Sequence, residues 1–191
     1  KHRRRQRQMC IRDRLCLDEA YIDFVDDNFV PKISLDKKNV IRMRTFSKAY
    51  GMAGLRVGYA IGEKDLILNF EKIRNHFGMS RISQVGALAA LEDYEFISDV
   101  INKVKLSRNR IADIANKNNC KFIPSFTNFV AIDCLKDSKF AKKVLENLIN
   151  NGVFVRMPYS YPQNRCIRVT VGLDKDIDLF EKYFPIALKE S

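Results

Sequence analysis

The sequence predicts an α/β fold followed by a smaller α+β module, and three observations carry that expectation. Short apolar runs of β type, joined by loops, occupy residues 15–62. Amphipathic helical patterns fill 63–118. Short β-rich runs return over 121–171, with one helical stretch among them and another after them.

Taken in order, residues 15–17 read as a buried strand that ends at Asp18. Residues 22–38 are polar and irregular. Residues 40–44 and 57–61 read as further strands, separated by a loop in which Gly51, Gly54 and Gly58 break the chain. Helices are expected over 63–77, 83–92 and 96–118, the last with Ile97, Val100, Ile101, Val104, Ile111 and Ile114 at helical spacing. Short strands are expected at 121–123, 129–132, 153–155 and 167–171. A helix over 138–150 separates the second from the third, and a final helix spans 174–188. The expected division is a basic tail at 1–14, a first domain at 15–80 and a second at 81–191. No internal repeat is visible.

Composition narrows the class. A 46% hydrophobic content allows a sizeable core, and no apolar run approaches the roughly 20 residues needed to span a bilayer. The net charge of +11 is uneven, since residues 1–16 carry six of those charges. Such an arm can bind nucleic acid, but no aromatic residue interleaves its arginines as a stacking platform requires. The run Met9-Cys10-Ile11-Arg12-Asp13-Arg14 resembles a translated sequencing-adapter scar and is set aside from fold reasoning. The expectation is therefore no nucleic acid and no membrane partner. The five cysteines show no metal-ligand spacing, and His2 and His76 are too few for a histidine-based metal site, so no metal is expected. Scattered thiols suit a reducing, cytoplasmic setting.

The chemistry-bearing residues fall in two stretches. Asp18-Glu19-Ala20-Tyr21 follows the first strand, with an ionised carboxylate at the strand end and a phenol three residues on. Arg44-Thr45-Phe46-Ser47-Lys48 follows the second, and Arg56 comes eight residues later behind two glycines. An amine, a carboxylate, hydroxyls and a guanidinium are what pyridoxal phosphate asks of a protein. The amine condenses with the aldehyde, the carboxylate keeps the ring nitrogen protonated, and the rest grip the phosphate.

At these residues the sequence resembles the fold-type I aminotransferases of class I/II, and within them the histidinol-phosphate aminotransferases. The run from Ser47-Lys48-Ala49-Tyr50-Gly51 to Leu55-Arg56-Val57-Gly58-Tyr59 carries the resemblance, which extends from about residue 15 to the end. It implies a partial large domain with the remnant of a mostly parallel sheet, then a small C-terminal domain. It implies pyridoxal phosphate as cofactor, with Lys48 anchoring it and moving the substrate proton. Asp18 would pair with the pyridine nitrogen and Tyr21 with the phenolic oxygen. Thr45, Ser47 and Arg56 would hold the phosphate. Arg168 matches the arginine for the substrate carboxylate or phosphate-bearing end, Arg156 a second arginine near the phosphate, and Asn128 an asparagine near that pocket. The implied reaction passes an amino group from a small amino donor to a 2-oxo acid, with histidinol phosphate and 2-oxoglutarate leading. Aromatic amino acids, or decarboxylation of a phospho-amino acid, are the alternatives. The resemblance also implies a homodimer for the full-length protein, and a chain of this length is expected to be inactive alone.

Overall fold

The computed structural model describes residues 14–34 and 37–191. The basic arm, Arg14 apart, lies outside them. By their contacts the described residues form two compact units that divide between Ser98 and Asp99. The division falls inside a long helix.

The first unit holds a three-stranded sheet of β1 (Leu15–Asp18), β2 (Val40–Thr45) and β3 (Gly58–Gly62) in that order. β1 and β2 are parallel, with Asp18 beside Met43, and β2 and β3 are antiparallel, with Thr45 opposite Gly58. The sheet is thus mixed, with one parallel pair. Strand β1 was expected to be buried, yet Leu15 is 48% exposed; among the described residues β1 pairs with β2 alone. Helices α1 (Lys64–Glu71) and α2 (Arg81–Glu92) follow. Glu63 caps α1 by accepting from the Leu66 N–H, and Ser80 caps α2 by accepting from the Ser83 N–H. The pattern over 63–77 overstated α1. After Lys72 the Asn75 Oδ1 accepts from the Phe77 N–H at 3.0 Å, a local turn that competes with helix continuation. The Ser83 hydroxyl donates to the Leu55 carbonyl at 2.7 Å, which ties α2 to the loop before β3 and keeps it with the first unit.

Helix α3 (Tyr94–Lys117) carries the chain onward. The second unit has an antiparallel sheet of β4 (Lys121–Ile123), β5 (Phe129–Asp133) and β6 (Cys166–Thr170), with α4 (Ser138–Asn150) and α5 (Asp174–Lys189). Its core is built by period. Val130 and Ile132 alternate inward on β5, Ile167 and Val169 on β6, and Ala141, Val144 and Leu148 line one stripe of α4. Phe180 and Phe184 of α5 stack with ring centroids 4.8 Å apart, and Ile111, Ile114 and Ala115 add the last turns of α3. Gly152, at a φ of +78°, ends α4 in the left-handed conformation that glycine adopts without strain, and the Val153 N–H returns to the Leu148 carbonyl. The run 153–155 was expected as a strand. Among the described residues it forms no ladder: the neighbouring Arg156 makes an isolated bridge with Arg168, the helix cap takes the Val153 N–H, and Pro158 offers no N–H to extend the pairing.

Candidate active site

Register builds the first cluster. β1 and β2 run parallel, so Asp18 ends β1 at the same edge of the sheet where Thr45 ends β2. β3 enters antiparallel with Gly58 opposite Thr45, so Arg56, two residues earlier, reaches that same edge. The sheet thereby collects Asp18, Thr45, Ser47, Lys48 and Arg56 on one rim, where open α/β sheets bind ligands.

The loop between β2 and β3 is held by its own bonds. The Phe46 N–H donates to Val57, the Gly51 N–H to Lys48 and the Met52 N–H to Phe46, at 3.2, 3.0 and 2.9 Å. Phe46 and Ala49 are buried, and the Phe46 ring packs against Tyr50 and Tyr59 at 5.0 and 5.6 Å between centroids. Lys48 is held half-buried between these two anchors. Its Nζ lies 5.2 Å from the centroid of the Tyr21 ring, which joins the two stretches picked out in the sequence. The Thr45 Oγ1 accepts from the Ser47 N–H at 3.1 Å. Arg56 sits at a φ of 51° and is exposed, with one guanidinium nitrogen donating to the Ala53 carbonyl at 2.8 Å.

Two carboxylates adjoin this rim, and the structure gives them different work. Glu19 is buried and accepts from Arg42 Nε at 2.7 Å and from Arg44 Nε at 2.9 Å. Burial alone would raise its carboxyl, but the two guanidiniums outweigh it and hold the group below the ordinary carboxylate range. Asp18 is exposed and accepts from the Ala20 N–H through Oδ1 at 3.0 Å. It lines a hollow of about 320 Å³ with Tyr21, Ile22 and Val25. Asp23 differs again, since burial pushes its carboxyl above the ordinary range against the pull of Arg44. The sequence reading missed the Glu19 clamp. Its signal was there: arginines at 42 and 44 stand two apart on a strand and so share a face.

A second cluster lies in the other unit. Arg156 and Arg168 exchange two backbone hydrogen bonds, and both line a cavity of about 810 Å³ with Lys142, Phe154, Met157 and Tyr159. Arg168 Nε is shut from solvent without a hydrogen-bond partner. Asn128 stands opposite Val171, its carbonyl accepting from the Val171 N–H at 2.9 Å. It shares the strand face of Val130 and Ile132, is half-buried, and is not among the residues lining this cavity. Among the described residues no group of three or more His, Cys, Asp or Glu side chains could hold a metal ion, and no helix is long and apolar enough to cross a membrane.

Comparison with known proteins gives the family. Residues 13–179 match the family described as aminotransferase class I and II. The chain belongs to that family. A histidinol-phosphate aminotransferase of Bacillus velezensis is 40% identical to this aminotransferase chain over 159 residues, 82% of the chain and 43% of that relative. The crystal structure of histidinol-phosphate aminotransferase from Sinorhizobium meliloti in complex with pyridoxal-5'-phosphate is similar at a TM-score of 0.89 and 44% identity. It covers 93% of this chain and 49% of that one. The L-threonine-O-3-phosphate decarboxylase of Porphyromonas gingivalis, at 20% identity and a TM-score of 0.77, covers 91% of this chain and 55% of that one and shares the fold. The aminotransferase chain spans about half the length of the relatives it matches.

Proposed function

We propose that the whole protein containing this chain is a pyridoxal-phosphate-dependent transaminase, with histidinol phosphate as amino donor and 2-oxoglutarate as acceptor. The observation that carries the reading is Lys48 Nζ over the Tyr21 ring, at the rim where Asp18 ends its strand. Family membership and the relatives' names support the same reading.

The donor set fits the cofactor. One rim offers a half-buried primary amine, an exposed carboxylate, two hydroxyls and an exposed guanidinium. Glu19, the adjacent carboxylate, is engaged by two arginines, whereas Asp18 stands exposed at its strand end, where the family resemblance puts the partner of the ring nitrogen. Pyridoxal phosphate, when bound, supplies an aldehyde for the amine and a ring that draws electrons from the substrate Cα. Lys48 would anchor the group through its aldehyde, and its Nζ would carry the proton lost from the substrate Cα. Asp18 keeps the ring nitrogen protonated, and Tyr21 donates to the phenolic oxygen. Thr45, Ser47 and Arg56 hold the phosphate. Arg168 and Arg156 bind the anionic end of the substrate; Asn128, on the opposite face of the strand, does not line their cavity. The whole protein works as a homodimer in the cytoplasm.

The test supplies purified whole protein with histidinol phosphate and 2-oxoglutarate and follows both glutamate and carbon dioxide. Glutamate that forms with the wild type and disappears with Lys48→Ala supports transamination. Carbon dioxide without glutamate would mean a phospho-amino-acid decarboxylase on the same fold. Glutamate formed only with aromatic amino acids would mean an aromatic aminotransferase.

A further inference from the structure

In the β5–β6 ladder Ala131 stands opposite Arg168, and Phe129 stands opposite Thr170. Residues two apart on a strand share a face, so Phe129, Ala131 and Arg168 project together, away from the face that buries Val130, Ile132, Ile167 and Val169. The Ala131 methyl is too short to fill the space beside Arg168. The guanidinium lies diagonally across it, with its central carbon over the Phe129 ring, 4.8 Å from the centroid. The backbone that carries the ring is held at both its carbonyl and its N–H by the preceding turn. The Phe129 carbonyl accepts from the hydroxyls of Ser125 and Thr127 at 2.7 and 3.1 Å, and its N–H donates to the Thr127 hydroxyl at 3.2 Å. Arg168 Nε is buried without an acceptor, while the side chain borders the large cavity. A flexible guanidinium held in one plane by a ring, rather than by a carboxylate, keeps its positive charge and its outer donors for an incoming anion.

We propose that Phe129 is a positioning residue that holds the Arg168 guanidinium in the plane in which it receives the substrate anion, and that Ala131 keeps the path between them open. The inference rests on the reading of Arg168 as the arginine that binds the substrate anion.

The experiment measures kcat and KM of the whole holoenzyme with histidinol phosphate, together with the melting temperature. Phe129→Leu keeps apolar bulk without the ring face. It is expected to raise KM by about tenfold, with kcat changed less than about twofold. Phe129→Tyr restores the ring face and is expected to return KM to within about twofold of wild type. Ala131→Val leaves Phe129 intact, crowds the path of the guanidinium, and is expected to raise KM as well, which keeps the test decisive if Phe129→Leu fails to fold. Arg168→Lys is the control. Unchanged KM in Arg168→Lys overturns the underlying reading. A raised KM there, with Phe129→Leu and Ala131→Val both at wild-type KM, overturns the positioning role alone. Equal losses in Phe129→Leu and Phe129→Tyr, tracking melting temperature, reduce Phe129 to packing and overturn it too.

Discussion

Thr45 stands opposite Gly58 across the β2–β3 ladder, and a β-carbon at position 58 would lie 2.7 Å from the Arg44 carbonyl oxygen. The contact is with backbone, so it cannot be relieved by a side-chain rotation. The close approach sets the distance between Thr45 and the segment that carries Arg56. Gly58→Ala is therefore expected to destabilise the protein by about 1–3 kcal/mol through overpacking. It should also weaken retention of pyridoxal phosphate, because β3 must move away from Thr45. Thermal unfolding together with cofactor titration of the whole protein checks both. An unchanged melting temperature would count against the close approach.

Glu19 carries a pH dependence with a definite sign. Its folded carboxyl is held below the ordinary range by Arg42 and Arg44, so folding favours the ionised form. The stabilisation is present above the ordinary carboxylate pKa and is lost as pH falls through the lower folded value. Glu19→Gln removes that component and leaves two guanidiniums facing a neutral group. It should cost about 3 kcal/mol at neutral pH, at the low end for a buried ion pair because the arginines reach solvent. The gap between wild type and variant should narrow as the solution is acidified. Denaturant midpoints across an acid series measure it, and a constant gap would refute the argument.

Much of this was legible in the sequence. The β2 strand, the helices α3 to α5 and the strands β4 to β6 follow from period, because each has one face buried against a core, whereas α2 shows through its Ala/Leu content and leaves Ile82, Val85 and Leu88 exposed. Asp18, Tyr21, Lys48 and Arg56 were marked by residue type and spacing. What failed to show was decided by partners distant in the chain. The exposure of Leu15 goes with β1 pairing, among the described residues, with β2 alone. The run 153–155 has strand propensity, but its first backbone donor, the Val153 N–H, is claimed by the α4 cap. Glu19 looks like any acidic residue until Arg42 and Arg44 are brought to it across the sheet. Phe129 looks like core, and only the ladder register shows that it faces away from the core, toward Arg168.

The cysteines should divide sharply by reactivity. Cys16 is exposed on the edge strand, whereas Cys134 is buried and its thiol is pushed up to about 12, by burial first and then by Cys120, Cys166 and Asp133 nearby. Thiolate is the reactive form, so Cys134 is inert at pH 8 while the protein is folded. Brief alkylation at pH 8 followed by peptide mapping should find Cys16 labelled and Cys134 unlabelled, with both labelled in denaturant. Rapid labelling of Cys134 under native conditions would mean that the second core opens far more readily than its packing implies.

Arg56 offers the most direct test of the cofactor rim. It sits in a left-handed conformation that most residues avoid, at the end of a loop whose bonds converge on Lys48 and Phe46. One of its nitrogens already donates to Ala53, which orients the guanidinium fork rather than neutralising it. Lysine would keep the charge but lose both the fork and the tether to Ala53. Arg56→Lys is therefore expected to fold with a melting temperature near wild type and to bind pyridoxal phosphate about tenfold more weakly, since a charge-assisted hydrogen bond contributes about 1.5–3 kcal/mol and one of two is kept. Equilibrium dialysis of the whole apoprotein against the cofactor reads this directly, without turnover. Affinity equal to wild type would remove Arg56 from the phosphate site and leave Thr45 and Ser47 to hold it alone.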